Sequence, residues 1–429
     1  MKQRNVLVFP AGSEIGLEIG QALRYCKEVR LFGAGMDISN HARFTYAEYH
    51  VLPSIHAPGW VDALASLCAR LEIDYIYPAY DDVIVALADH AGEIPATVIA
   101  PEPWSCRVTR SKLLTYLALS GKVRVPELFP SPEAVESFPV VVKPERGQGS
   151  QGVQVVRTAG QLASALAAVE DPLICEYLAG EEFTVDCFSD RDRGLLFAGA
   201  RLRGRTRNGI SVNTTLAELP EVRPLAEIIG RELRMRGAWF FQIKRSAGGE
   251  LALLEVAPRI AGSMAAHRVT GVNFPLLSIF EAERLPITVA PIPVPLELDR
   301  ALGNRYRHQI SFSALYLDLD DTLICRNEVN PRVMTLIFQC INRKKPVYLV
   351  TRHREDLSAT LARHRLSGIF DEVIHLREGE PKSACIREDD AIFVDDSFAE
   401  RREVAQARGI LTFDCSMIEI LTDQAEDIP

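Results

Sequence analysis

Val140-Val141-Val142 is an apolar run that ends abruptly in charge. Lys143-Pro144-Glu145-Arg146 follows, then Gly147, Gly149 and Gly152 within six residues, and then Val153, Val155 and Val156. Two short apolar runs around a glycine-rich tip bury their faces by folding back on one another, so the stretch predicts a β-hairpin. Glycines let backbone N–H groups approach an anion closely, and a lysine on the first strand adds a point charge. Together they predict a clamp for a nucleotide phosphate, which needs partners elsewhere in the chain.

The 429-residue sequence has room for them. Its length implies two or three domains, and 47% apolar with 24% charged residues describes an ordinary globular protein with ample core. A net charge of −9 argues against non-specific nucleic-acid binding. Nine cysteines stand singly, with no C-x-x-C, which fits a reducing cytosol and hence a cytoplasmic protein. The first apolar run stops at Phe9-Pro10, too short for a signal peptide, and no run is long enough to span a membrane.

Before the hairpin, apolar strands at 5–9, 29–32, 75–78 and 97–100 alternate with helical patterns at 60–71 and 83–90. That rhythm predicts a parallel, Rossmann-like α/β domain. Gly12-x-x-x-Gly16 lacks the dinucleotide fingerprint, so close strand-to-helix packing is favoured there over cofactor binding. After the hairpin, strands are predicted at 173–178, 183–188, 195–207, 238–243 and 250–256. Arg201, Arg203, Arg205 and Arg207 fall at spacing two, which puts all four on one face of a strand. Such a stripe is either a solvated surface or the seat of an anion. Four prolines in residues 286–295 mark a linker, after which a second α/β rhythm begins.

Several residues line up with the hairpin: Lys112 upstream, Glu176-Tyr177-Leu178-x-Gly180-x-Glu182 after it, then Gln242, and Leu254-Glu255-Val256-Ala257-Pro258-Arg259. In this order the set resembles the ATP-grasp superfamily, in its carbamoyl-phosphate synthetase and carboxylate–amine ligase branch. The resemblance implies that Lys112 and Lys143 contact ATP phosphates while Gly147, Gly149 and Ser150 close over them. Glu176, Tyr177 and Leu178 would line the adenine site and Glu182 would hold the ribose. Gln242 and Glu255 would bind Mg²⁺, Arg259 would face the transferred phosphoryl group, and Arg203, Arg205, Arg207 and Ser263 would hold the acid substrate. One position departs from the pattern. The family usually reads Glu-x-Asn-Pro-Arg, and Ala257 stands here for the asparagine.

In the C-terminal part, Asp318-x-Asp320-x-Thr322, Thr351, Lys382 and Asp395-Asp396 all fall at or just beyond predicted strand ends, where doubly wound folds build sites. Converging carboxylates repel unless a cation joins them. The four motifs resemble the haloacid dehalogenase-like phosphatase superfamily over about residues 313–413. The resemblance implies Asp318 as nucleophile and Asp320 as general acid and base, with Thr351 and Lys382 holding phosphoryl oxygens. Asp395, with Asp318 and the Asp320 backbone carbonyl, would hold Mg²⁺, and Asp396 would assist. About 32 residues separate the first and second motifs and about 30 the second and third, which leaves no room for a cap domain, so the site is expected to be open.

The expected architecture is therefore α/β throughout: a Rossmann-like pre-ATP-grasp domain (1–105), an α+β ATP-grasp domain (106–285), a proline-rich packing segment (286–312) and a capless haloacid dehalogenase-like domain (313–429). The expected function is bifunctional and uses ATP and Mg²⁺. One unit joins a small carboxylate to an amine and the other hydrolyses a phosphorylated substrate, without nucleic-acid or membrane partners; self-association stays open. The alternative is a first unit that binds ATP only to regulate the second.

Overall fold

The computed structural model describes residues 3–147, 149, 151–303, 306 and 308–422. The chain divides into two compact units, Met1–Gly303 and Asn304–Pro429.

The first unit begins with a five-stranded parallel sheet. Its spatial order is Tyr49–Val51, Val29–Gly35, Arg4–Phe9, Tyr75–Pro78, Thr97–Val98. The central strand is apolar on both faces, and Val6 to Phe9 are buried, as a strand covered by helices on both sides requires. Tyr49–Val51 is a strand the sequence did not announce. Helix Glu14–Leu23 follows the central strand and is capped by Ser13, whose hydroxyl accepts from the Gly16 amide at 2.9 Å. A Cβ on Gly16 would lie 2.5 Å from the Ala11 carbonyl oxygen, so this glycine permits close packing of the turn, the reading favoured from sequence.

Two antiparallel sheets complete the unit. The smaller runs Leu128–Phe129, Pro172–Glu176, Val140–Pro144, Gln154–Val156. Its last pair is the expected hairpin, with Val140 opposite Val156 and Val141 opposite Val155. The larger has six strands in the order Leu251–Ala257, Gly237–Arg245, Glu182–Asp190, Gly194–Arg207, Ile210–Ala217, Glu297–Asp299. Its last strand lies in the proline-rich packing segment. Once the prolines end, Glu297–Asp299 pairs with Asn213–Thr215 and closes the sheet edge, so the segment up to Gly303 belongs to the first unit. Proline lacks the N–H a ladder needs, which confines this segment to an edge.

The second unit has its own parallel sheet, ordered Glu372–His375, Val347–Thr351, Leu315–Leu317, Ile392–Val394, Leu411–Phe413. Helices Pro331–Asn342, Leu357–Arg363 and Phe398–Arg408 connect the strands. Among the described residues, the insertion between Leu317 and Pro331 holds only a ribbon of two short strands, Ile324–Cys325 and Glu328–Val329, and no cap domain.

Candidate functional site

A cavity of about 610 Å³ lies in the first unit, lined by residues of both antiparallel sheets and by helices and turns that follow strands of the parallel one. Its floor is the six-stranded sheet, where register decides which side chains stand together. Arg201 pairs with Thr184, Thr184 with Gln242 and Gln242 with Glu255, and all four line the cavity. Direct register partners share a face, so these residues form one row across four strands. Two residues along, on the same face, a second row runs Gly199, Asp186, Phe240, Ala257. In the other direction Glu182 pairs with Lys244.

The opposite wall supplies cations. Lys143 is the penultimate residue of strand Val140–Pro144, is 6% exposed, and its Nζ donates to the Tyr116 hydroxyl at 2.7 Å. Tyr116 passes the interaction on, its hydroxyl donating to the Leu254 carbonyl at 2.7 Å. Lys112 opens helix Lys112–Leu119, and its amide donates to the Glu145 carbonyl at 3.1 Å. Burial pushes both ammonium groups below the usual lysine range. For Lys112 the charges of Lys143 and Arg110 act in the same direction, and Glu255 partly offsets the effect for both lysines. Two desolvated cations facing one cleft are a site for a multiply charged anion.

A family model described as ATP-grasp in the biosynthetic pathway with Ter operon matches residues 168–298. The D-alanine–D-alanine ligase of Fusobacterium nucleatum subsp. nucleatum is 26% identical over 155 residues, which is 33% of this chain and 52% of that protein. The chain thus spans about half the length of the curated relative it matches. Among solved structures, N5-carboxyaminoimidazole synthetase from Staphylococcus aureus complexed with ADP superposes with a TM-score of 0.58 at 14% identity, over 70% of this chain and 83% of that one. Biotin carboxylase from Campylobacter jejuni, in a β-γ-ATP complex, gives 0.55 at 15% identity over 67% and 72%. The L-amino acid ligase from Bacillus licheniformis gives 0.52 at 18% identity over 67% and 76%. The first unit has the ATP-grasp fold.

Within the ATP-grasp unit, most of the residues singled out in the sequence converge. Lys112, Lys143, Gly147 and Gly149 line the cavity on the hairpin side, Glu176, Tyr177, Leu178 and Glu182 at the end beside them, and Gln242, Glu255 and Ser263 on the floor. Ser150 lies outside the described residues. One expectation needs correction. Arg205 and Arg207 do not line the cavity; the register slips between Arg203 and Thr206, and Arg205 pairs with Asp299 at 2.8 Å on the surface. Only Arg203 remains, held 2.9 Å from Glu182 as an ion pair whose N–H is poorly aligned for a hydrogen bond. Arg259 lines the cavity but arrives already engaged, its Nε and Nη2 donating to Asp81 at 2.5 and 3.0 Å. The Glu176 amide donates to the Glu127 carbonyl at 2.8 Å and its carboxylate accepts from Arg124 at 2.8 Å, which fixes this strand end beside the cavity.

Sequence reasoning missed Asp81, Tyr116 and Asp186. Asp81 had a signal, since it starts a helix directly after a parallel strand, where such sheets place functional groups. Burial alone would raise its carboxyl, but the charge and hydrogen bonds of Arg259 outweigh that and hold it below the usual range. Tyr116 and Asp186 read as ordinary helix and strand residues until register places them.

In the second unit the first, third and fourth motifs meet. Lys382 Nζ lies 2.8 Å from Asp318 Oδ1 and 2.6 Å from Asp395 Oδ2, with all three groups buried. Burial lifts the Asp318 carboxyl to about 6, with the Asp395 charge adding and Lys382 opposing; Asp395 is raised as well, again chiefly by burial. One ammonium does not neutralise two buried carboxylates. Asp318, Asp395 and Asp396 bring ligand oxygens within 4.8 Å of one another, a hard-oxygen set suited to a divalent cation. The Thr351 hydroxyl, two residues beyond Leu349 on the strand that pairs with Leu315–Leu317, is buried and has no hydrogen-bond partner among the described residues. The Asp320 carboxylate stands outside the trio, 2.9 Å from His353 Nδ1; the part expected of Asp320 in the metal shell belongs to its backbone carbonyl.

Proposed function

We propose that the first unit is an ATP- and Mg²⁺-dependent ligase that activates a carboxylate as an acyl phosphate for attack by an amine. The observation that carries the reading is the facing arrangement of Lys112 and Lys143 against the Gln242–Glu255 pair across one cavity. The depressed ammonium groups fit nucleotide phosphates, and the amide and carboxylate oxygens fit a hard cation. Bound there, Mg²⁺ would neutralise charge on the phosphates during phosphoryl transfer. Lys143, fixed by Tyr116, holds phosphate oxygens in position. Glu182 takes the ribose, and the side chains of Tyr177 and Leu178 flank the base. Arg259, oriented by Asp81 and lying 5.0 Å over the Phe240 ring, presents its remaining N–H groups to the acyl end. The amine attacks the acyl carbon, phosphate leaves, and one proton goes to solvent. The test is ADP release from ATP and Mg²⁺ across acid and amine panels.

Ala257 supports a second reading, nucleotide binding without ligation. Its cross-strand neighbour on the floor is Phe240, which offers no replacement oxygen. ATP binding with no ADP release from any pair would select it.

For the second unit we propose phosphomonoester hydrolysis. Asp318 attacks phosphorus, Asp320 protonates the leaving oxygen and later takes a proton from water, and Lys382 and the unpartnered Thr351 hydroxyl hold the phosphoryl oxygens. The buried carboxylates fit Mg²⁺, which would offset their repulsion. The nine free cysteines and the lack, among the described residues, of a helix long and apolar enough to cross a membrane are consistent with a cytoplasmic setting.

A further inference from the structure

One cation in the ATP-grasp cavity has no task in the scheme above. Arg201 is 1% exposed yet lines the cavity. Its Nε and Nη2 donate to Asp186 at 2.7 and 3.1 Å, and Asp186 is itself fully buried. His267 backs the pair, with Nε2 3.7 Å from Asp186 and 3.2 Å from the Gly199 carbonyl. Burial keeps this imidazole below its usual range, hence neutral near pH 7 and no competitor for Asp186. The Arg201 Nη1 group, in contrast, has no hydrogen-bond partner among the described residues. A strand pair that needed only internal neutrality would leave no buried guanidinium nitrogen unsatisfied, because that omission costs more than a hydrogen bond returns.

Position says what the open nitrogen is for. Arg201 shares its row with Gln242 and Glu255 but sits two strands from the first and three from the second. At the usual strand spacing that is roughly 10 Å and roughly 14 Å between Cα atoms. It therefore stands beyond the phosphate-binding end. The Gly262–Met264 turn that carries Ser263 packs on Ile210–Ala217, the strand next to Arg201's own. The carboxylate to be activated belongs near Gln242, Glu255 and Arg259, and a single carboxylate does not span from there to Arg201.

We propose that Arg201, oriented by Asp186 and His267, docks a second anionic group of the acid substrate, so that the substrate is a short diacid or an acidic amino acid. This rests on the ligase reading. Arg201 touches the substrate; Asp186 and His267 are positioning residues.

The test is binding by calorimetry to the full chain loaded with Mg²⁺ and a non-hydrolysable ATP analogue. The probes are malonate, succinate, glutarate, aspartate and glutamate, each against its ω-monomethyl ester. At least one diacid is expected to bind at least tenfold more tightly than its ester to the unaltered protein, an arm that needs no variant. In R201K, which keeps a cation beside Asp186, that diacid is expected to weaken at least tenfold while the ATP analogue binds as before. Esters that bind as well as diacids, no diacid binding, or an R201K protein of unchanged diacid affinity would each overturn the proposal and leave the ligase reading standing. Failure of the ATP analogue to bind at all would remove both.

Discussion

Lys143 and Asp81 show how differently two buried charges behave. Lys143 is held by a phenol rather than a carboxylate, so its charge is under-compensated in the folded chain. Lys143→Met should therefore leave the thermal midpoint unchanged or raise it, while ATP affinity falls by about 1.5–3 kcal/mol, the worth of a charge-assisted bond. Calorimetry and thermal melting read the two effects separately. Asp81 is the reverse case. Its partner Arg259 is buried with it, and Asp81→Asn should cost about 3 kcal/mol at pH 7 by stranding that guanidinium. A carboxyl held below its ordinary 3.8 contributes stability above that pH and loses it as the pH falls through the folded value. The gap between the two proteins in denaturant titrations should accordingly close below about pH 4; a gap constant from pH 7 to 3 would refute the assignment. Lys143 was legible because glycines and a strand flank it. The Asp81–Arg259 pair was not, since 178 residues separate its members and only the fold makes them neighbours.

At the scale of elements, the hairpin tip meets another turn. Gly149 has φ of +58°, and a Cβ there would lie 2.7 Å from the Asn208 carbonyl oxygen, in the turn joining Gly194–Arg207 to Ile210–Ala217. Gly149→Ala should cost the closed tip about 1–2 kcal/mol, seen as roughly tenfold weaker ATP binding with an unchanged melting midpoint. The strands themselves were readable from alternation and turn residues. The arginine stripe was misread because spacing in sequence equals spacing on a face only while the register holds. Gly204 sits where it slips, with Asn213 Oδ1 2.3 Å from where its Cβ would be. Glu297–Asp299 was hidden for a related reason: an edge strand of three residues after four prolines carries no pattern of its own.

For the whole molecule, two units with separate sheets and separate polar clusters predict separable chemistry. Asp318→Asn should abolish hydrolysis of p-nitrophenyl phosphate and leave ATP affinity as it was; Lys143→Met should do the opposite. A single substitution that removes both activities without unfolding the chain would show one shared site. The α/β class of both units was legible because strand–helix alternation is a property of the chain itself. The boundary at Gly303 was not, because where a segment packs depends on partners far away in sequence.

The hydrogen bonds from Lys143 to Tyr116 and from Tyr116 to Leu254 tie three elements together: the hairpin sheet, the helix that starts at Lys112, and the large sheet. Mechanically the phenol is a hinge pin set at the closed end of the cleft. Swinging the hairpin strands away from the large sheet at that point would break two buried hydrogen bonds in turn, whereas bending at Gly147–Gly152 breaks neither. Nucleotide should therefore enter by the tip curling back while its root stays seated, so exchange of amide hydrogens at Gly147, Gly149 and Gly152 should run faster than at Val140–Val142.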